Sequence, residues 1–141
     1  MEHPNQPCII KLPKICDPSG NLTFVEGDNH LPFRIARAFW IYDVPAGEDR
    51  GSHSHRRLQQ FIVAMSGSFD IKVTDGFTWK EFHLNRPFEG LYVPPGFWNT
   101  LQNFATSSVC LTLASAPYDE ADYIRDFEVF KAESLKIGPR L

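Results

Sequence analysis

From Ile9 to Ala114 the chain is a succession of short apolar segments, each closed by a turn signal before it reaches helical length. Ile9 to Leu12 reads as a strand, Asp17-Pro18-Ser19-Gly20 as a turn, and Asn21 to Glu26 as the next strand. Arg37 to Val44 (RAFWIYDV) is an aromatic-rich strand, and Leu58 to Ser66 is another, ended by Ser66-Gly67-Ser68. In Phe69 to Thr74 the residues Phe69, Ile71 and Val73 alternate with Asp70, Lys72 and Thr74, the period of a half-buried strand. Asp75-Gly76 signals a hairpin into Phe77 to Phe82. Gly90 to Val93 leads into the rigid turn Pro94-Pro95-Gly96, and Val109 to Ala114 is apolar enough for a buried strand. After Ala114 the period changes. Tyr123, Ile124, Phe127 and Phe130 recur at helical spacing behind Asp119 and Asp122 as caps, which predicts a terminal helix over 118–132. Many short strands and one terminal helix make an all-β chain that closes as a sandwich or barrel, one domain over 1–141.

Bulk properties narrow the functions open to such a domain. The 141 residues suffice for one buried core. The hydrophobic fraction of 43% and charged fraction of 22% are those of a soluble protein. The aromatic fraction of 13%, with twelve Phe, suits strands or a ligand cavity. A net charge of -3, with His55-Arg56-Arg57 as the one short basic cluster, argues against nucleic acid, whose phosphates need a basic face. Cys8, Cys16 and Cys110 form no CxxC pair, and their odd number fits reduced thiols. The segment from Met1 to Pro13 is polar and broken by proline, unlike a signal peptide, and no apolar run approaches membrane-spanning length. A cytoplasmic protein without a membrane partner is the expectation.

The sharpest chemical feature is Arg50-Gly51-Ser52-His53-Ser54-His55. On a strand, residues two apart face the same side, so His53 and His55 project together. Taken alone, the pair reads equally well as two surface histidines. Downstream, Pro94-Pro95-Gly96-Phe97-Trp98-Asn99 is followed by Asn103. The two stretches resemble, in order and spacing, the GxHxH and PxGxxH…N motifs of cupins, with Asn99 at the usual histidine. The resemblance implies a cupin double-stranded β-helix, or jelly roll, with a short C-terminal helix. Metal-binding cupins add a carboxylate and a third histidine to the pair. Here those positions are Gln59 or Gln60 and Asn99. Two imidazoles alone hold a transition metal poorly, so the donor set argues against a metal. It leaves two imidazoles expected to titrate near neutrality and suited to proton transfer.

A closer resemblance covers Ile9 to Lys131. The stretches RAFWIYDVPAGEDRGSHSHRRLQQFIVAMSGS, GLYVPPGFWNTLQNF and LASAPYDEADYIRDFEVF are similar to the sugar 3,4-ketoisomerases that act on dTDP-4-keto-6-deoxyglucose. That family implies a metal-free cupin homodimer that exchanges N-terminal strands. It also implies a keto-sugar product for cell-surface glycans or secondary-metabolite glycosides. It places the catalytic pair on His53 and His55, with His53 as base and His55 assisting, and a sugar or phosphate ligand on Arg50. This chain departs from the family pattern at Ser19, where an arginine is usual, and at Ser54, usually alanine. It departs again at Phe39-Trp40, often Tyr-Tyr, and at Asn99, often His or Arg.

Among the remaining residues, Arg37 alternates with Phe39 and Ile41. It is read either as a phosphate ligand, for which the guanidinium fork is suited, or as solvated. Arg37, Tyr42 and Asn99 join Arg50 as the candidate substrate-binding set. Tyr42 and Tyr92 are read either as pocket donors or as packing residues. His3, His30 and His83 are expected to be exposed, Tyr118, Asp119 and Asp122 to start the helix, and Phe33, Phe61, Phe69, Phe77, Phe82 and Phe104 to fill the core. No Gly-rich dinucleotide fingerprint is present, so no cofactor is expected. The rival functions are a non-catalytic nucleotide-sugar-binding cupin, which Ser19 and Asn99 favour, and a metal-dependent cupin enzyme.

Overall fold

The computed structural model describes residues 4–141. His3, expected to be exposed, lies outside them. Two five-stranded antiparallel sheets face each other. The first contains β1 (Cys8–Lys11), β9 (Glu89–Val93), β6 (Gln60–Ser66), β11 (Val109–Ala114) and β4 (Arg37–Ile41), in that order. The second runs β12 (Tyr123–Ile124), β5 (Arg50–His55), β10 (Trp98–Gln102), β7 (Phe69–Thr74), β8 (Trp79–Leu84). A separate hairpin joins β2 (Lys14–Asp17) to β3 (Gly20–Thr23). The architecture is the jelly roll expected of a cupin, with one C-terminal helix, α1 (Phe127–Ile137).

The alternation in Phe69–Thr74 explains the core between the sheets. Phe69, Ile71 and Val73 are fully buried and meet Ile62, Ala64, Leu91, Val93 and Leu101. The uninterrupted apolar run of β6 has a different cause. Ile62 and Ala64 face that core, while Phe61 and Val63 point to the other face of the sheet and pack with Leu31, Phe33, Tyr92 and Leu113. A strand buried on both faces loses the polar half of its alternation.

Several expected boundaries move. The segment over 118–132 is not one helix. A 3-10 turn spans Glu120–Asp122, Tyr123–Ile124 is a strand paired with β5, and α1 begins only at Phe127. Asp126 caps α1, accepting from the N–H groups of Glu128 at 2.8 Å and Val129 at 3.3 Å. Asp122 instead accepts from the N–H groups of Arg57 at 2.9 Å and Leu58 at 3.1 Å, fixing the corner that follows β5. This long-range pairing overrides the local helical period. Residues 98–102, which the sequence pattern left unassigned after the Pro94-Pro95-Gly96 turn, form β10 in the middle of the second sheet. The strand after Asp75-Gly76 starts at Trp79, leaving Phe77 exposed at 45% rather than in the core. His83 is exposed as expected, with Nδ1 2.6 Å from the Asp70 carboxylate, whereas His30 is half-buried and accepts from the Glu26 N–H at 2.9 Å.

Candidate active site

His53 and His55 owe their placement to an irregularity in β5. Across the β5–β10 ladder His53 is paired with Asn99, but Gly51 is paired with Thr100, so Ser52 is an extra residue. Both residues of the bulge take left-handed backbone, with φ 82° at Gly51 and 63° at Ser52. A Cβ on Gly51 would meet Leu101 Cδ1 at 3.0 Å and the Asn99 carbonyl at 3.2 Å, so the position demands glycine. Beyond the bulge the two imidazoles lie edge to face, ring centroids 4.8 Å apart and planes at 81°.

Tyr123 completes the group. It pairs with His55 across β12 and β5, and its ring lies 4.3 Å from the His55 ring and 5.0 Å from the His53 ring. Arg125 follows, its guanidinium 4.4 Å from the Tyr123 ring. It donates to Glu120 through Nε at 2.7 Å and Nη2 at 2.9 Å, and Glu120 also accepts from the Tyr118 hydroxyl.

His53 opens into a cavity of about 400 Å³, lined also by Trp40, Arg50, Gln60, Asn99 and Arg125. A smaller space of about 110 Å³ adjoins His55, bounded by Arg37, Arg57, Asp122 and Tyr123. The expected substrate-binding residues therefore separate. Arg50 and Asn99 line the His53 cavity. Arg37 faces the smaller one, with its guanidinium 5.3 Å from the Phe39 ring and 5.6 Å from the Tyr118 ring. Tyr42 is exposed and lies outside both. Tyr92 is a packing residue, fully buried and donating its hydroxyl to Gln59 at 2.8 Å.

The site's polar atoms are largely unspent. His53 Nδ1, His55 Nε2, Asn99 Nδ2 and Arg37 Nε are buried without a protein partner. Buried groups of this kind are commonly satisfied by a ligand or by water. Burial, helped by the charge of Arg125, lowers the His53 pKa to about 4. Burial, then the neighbouring His53, Arg37 and Arg125, lowers that of His55 to about 3. The expectation of titration near neutrality is thus corrected: burial keeps both rings neutral at pH 7. Among the described residues no three His, Cys, Asp or Glu side chains converge as a metal site would need. The cupin ligand positions carry the amides of Gln60, which lines the cavity, and Asn99.

The sequence reading missed Tyr123 and Arg125 as site residues, having placed them on a helix. The brief alternation Tyr123, Ile124, Arg125 was the available signal, too short to outweigh the helical spacing around it.

Residues 5–134 match the family model described as FdtA: WxcM-like, C-terminal, leaving 1–4 and 135–141 outside it. The chain belongs to this family. It is 39% identical over 130 residues to TDP-4-oxo-6-deoxy-alpha-D-glucose-3,4-oxoisomerase of Aneurinibacillus thermoaerophilus, covering 92% of this chain and 94% of that one. Among solved structures it is similar to QdtA, a sugar 3,4-ketoisomerase from Thermoanaerobacterium thermosaccharolyticum in complex with TDP. The TM-score is 0.92 at 37% identity, with 94% of this chain and 97% of that one covered. WlaRB, a TDP-quinovose 3,4-ketoisomerase from Campylobacter jejuni, superposes with a TM-score of 0.86 at 38% identity, over 91% of this chain and 98% of the other. As in the sequence reading, the resemblance runs along nearly the whole of this FdtA-family chain.

Proposed function

We propose that the protein is a TDP-sugar 3,4-ketoisomerase, moving the carbonyl of a TDP-4-keto-6-deoxyhexose from C4 to C3. The observation that carries this reading is the edge-to-face pair of neutral imidazoles, His53 half-buried and His55 buried, beside a cavity with Arg50 and Arg125 in its wall. Relatives at this level of identity are named for that reaction, and QdtA holds TDP. In the substrate the C4 carbonyl acidifies the C3 proton. His53 removes it, and the electrons pass through an enediolate shared by C3 and C4. A proton is returned to C4, and the C3 hydroxyl loses its proton as the new carbonyl forms. Substrate and product are isomers, so no external oxidant or reductant is consumed.

His53 is the base in this scheme because it, and not His55, lines the larger cavity. His55 and Tyr123 assist by holding the first ring and relaying protons between the sugar oxygens. Asn99 donates from its unpaired Nδ2 to a sugar oxygen. Arg50 and Arg125 take the diphosphate, for which guanidinium geometry is suited. Arg37, against the smaller space, orients His55. The donor set of two imidazoles and two amides supports a metal-independent reaction.

We place the enzyme in the cytoplasm as one cupin domain, on the strength of its free Cys8, Cys16 and Cys110. Among the described residues no helix is long and apolar enough to cross a membrane. We further propose a homodimer. A third cavity of about 430 Å³ on the first sheet is lined by Leu12, Phe24, Met65, Leu111 and Leu113, and exposed Ile15 and Leu22 lie on the adjacent hairpin. Here β1 pairs with β9 of its own chain, a ladder that a partner's β1 could supply equally well.

The direct test of the function offers purified protein TDP-4-keto-6-deoxyglucose and follows the sugar carbons by NMR. Migration of the carbonyl to C3 supports the ketoisomerase reading. Tight binding without turnover would replace it with the sugar-nucleotide-binding reading.

A further inference from the structure

The last residues of the chain are tied down. The Arg140 backbone N–H donates to Asp75 Oδ2 at 2.6 Å and that of Leu141 to the same oxygen at 3.0 Å. Asp75 is fully buried, and its other oxygen accepts from the N–H groups of Phe77 and Thr78, each at 2.9 Å. Gln6 Nε2 donates to the Arg140 carbonyl at 2.8 Å, fastening the same residue from the N-terminal side. The Arg140 side chain turns inward, its guanidinium 4.4 Å from the Phe97 ring, and Nη2 donates to the Gly96 carbonyl at 2.6 Å.

Gly96 is where this anchorage reaches the active site. Its N–H donates to the His55 carbonyl at 2.8 Å. Three hydrogen bonds therefore lead from Asp75 through Arg140 and Gly96 to the backbone of His55. The turn is shaped for the contact: Gly96 has φ 83°, and a Cβ there would stand 2.9 Å from Arg140 Nη1. Immediately after the turn, Trp98 packs on Phe127 and Phe130 of α1 with ring centroids 5.0 and 5.7 Å away, and Asn99 enters the cavity.

We propose that Arg140 is a positioning residue for the histidine pair, holding the Pro94-Pro95-Gly96 turn so that Gly96 fixes the backbone of His55. Its effect on rate rests on the ketoisomerase reading, whereas its effect on Gly96 does not. A guanidinium clamped between a carbonyl and an aromatic face restricts the turn more tightly than either contact alone. Displacement of a catalytic group by about 1 Å can cost about a hundredfold in rate, so a partial loosening is expected to cost about tenfold.

The test compares Arg140→Ala and Arg140→Lys with the wild type by two readouts. The first is amide hydrogen exchange at Gly96, which needs no activity. The second is the separation of kcat from KM. Arg140→Ala is expected to speed Gly96 exchange about tenfold while leaving the amide of Val73, deep in the sheet, unchanged. Its kcat should fall about tenfold with KM within about twofold, because the sugar-nucleotide contacts are not those being loosened. Arg140→Lys keeps a cation and a donor and should recover most of both. If Arg140→Ala does not fold, Arg140→Gln, which keeps a donor without the charge, should give intermediate values. Wild-type Gly96 exchange and wild-type kcat in a folded Ala or Gln variant would overturn the proposal, even if melting temperature dropped. If the wild type itself does not isomerise while Gly96 responds as expected, the ketoisomerase reading falls and the link to His55 stands.

Discussion

Asn99 stands directly opposite His53 in the β10–β5 ladder, 2% exposed, with its Nδ2 atom unpaired. Metal-binding cupins have a histidine at this position. An amide there supplies a hydrogen-bond donor and a carbonyl oxygen but no base, so in the proposed reaction proton removal is assigned to the imidazole across the ladder.

Replacing Asn99 by alanine should therefore damage binding and turnover more than folding, since no protein group loses a partner of Nδ2. The loss of one hydrogen bond to a sugar oxygen predicts a fall in kcat/KM of roughly tenfold, equivalent to ~1.4 kcal/mol. Steady-state kinetics alongside a thermal melt separates the two effects. A large drop in melting temperature with unchanged kcat/KM would assign Asn99 to structure instead.

The depressed imidazoles set a pH signature. Folding holds His53 and His55 below their ordinary value of 6.5, at about 4 and about 3. Between pH 6.5 and about 4 the unfolded chain accordingly binds protons at these rings that the folded chain refuses. Stability must fall as pH falls through that window. The urea midpoint should drop between pH 7.5 and pH 5, and the drop should be smaller in His55→Asn. An identical pH slope in the variant would mean that His55 is not depressed by burial.

The fold was legible where local pattern and tertiary role agree. Phe69–Thr74 alternates because one face is core and the other is not, and the structure repeats that alternation in its burial. Legibility failed where partners distant in sequence decide. Tyr123 and Ile124 have helical spacing to Phe127 and Phe130, yet pairing with β5 makes them a strand. Trp98 to Gln102 follows a Pro-Pro-Gly turn and contains Asn99, so its polar residue hid a central strand whose Trp98 and Leu101 are buried. The histidine pair was legible because strand period alone aligns the two rings. Their pKa values were not, because burial is a property of the closed barrel. Arg125 reaches the site only through the pairing of the segment that carries it.

Core packing gives a stability prediction independent of function. Leu91 is fully buried between the sheets, so Leu91→Ala should cost about 2–5 kcal/mol in urea unfolding. Leu135 on α1 is 73% exposed, and Leu135→Ala should change stability by no more than about 0.5 kcal/mol. Equal effects would contradict the assignment of the core.

The apolar cavity on the first sheet leads to an assembly prediction. Light scattering at micromolar concentration should give twice the monomer mass, and a charge at Met65, 49% exposed beside that cavity, should shift it towards the monomer. A monomeric wild type would remove the dimer from the account.

The central claim is that His53 takes the C3 proton of a 4-keto sugar nucleotide, and solvent isotope exchange measures that step. In D₂O the wild type is predicted to incorporate deuterium at the carbons that exchange the carbonyl as TDP-4-keto-6-deoxyglucose is converted. His53→Asn, close in size but unable to accept the proton near neutral pH, is predicted to bind TDP normally while losing about 10²- to 10⁴-fold in both exchange and turnover. Exchange and turnover at the wild-type rate in His53→Asn would contradict the account and place the base on another residue.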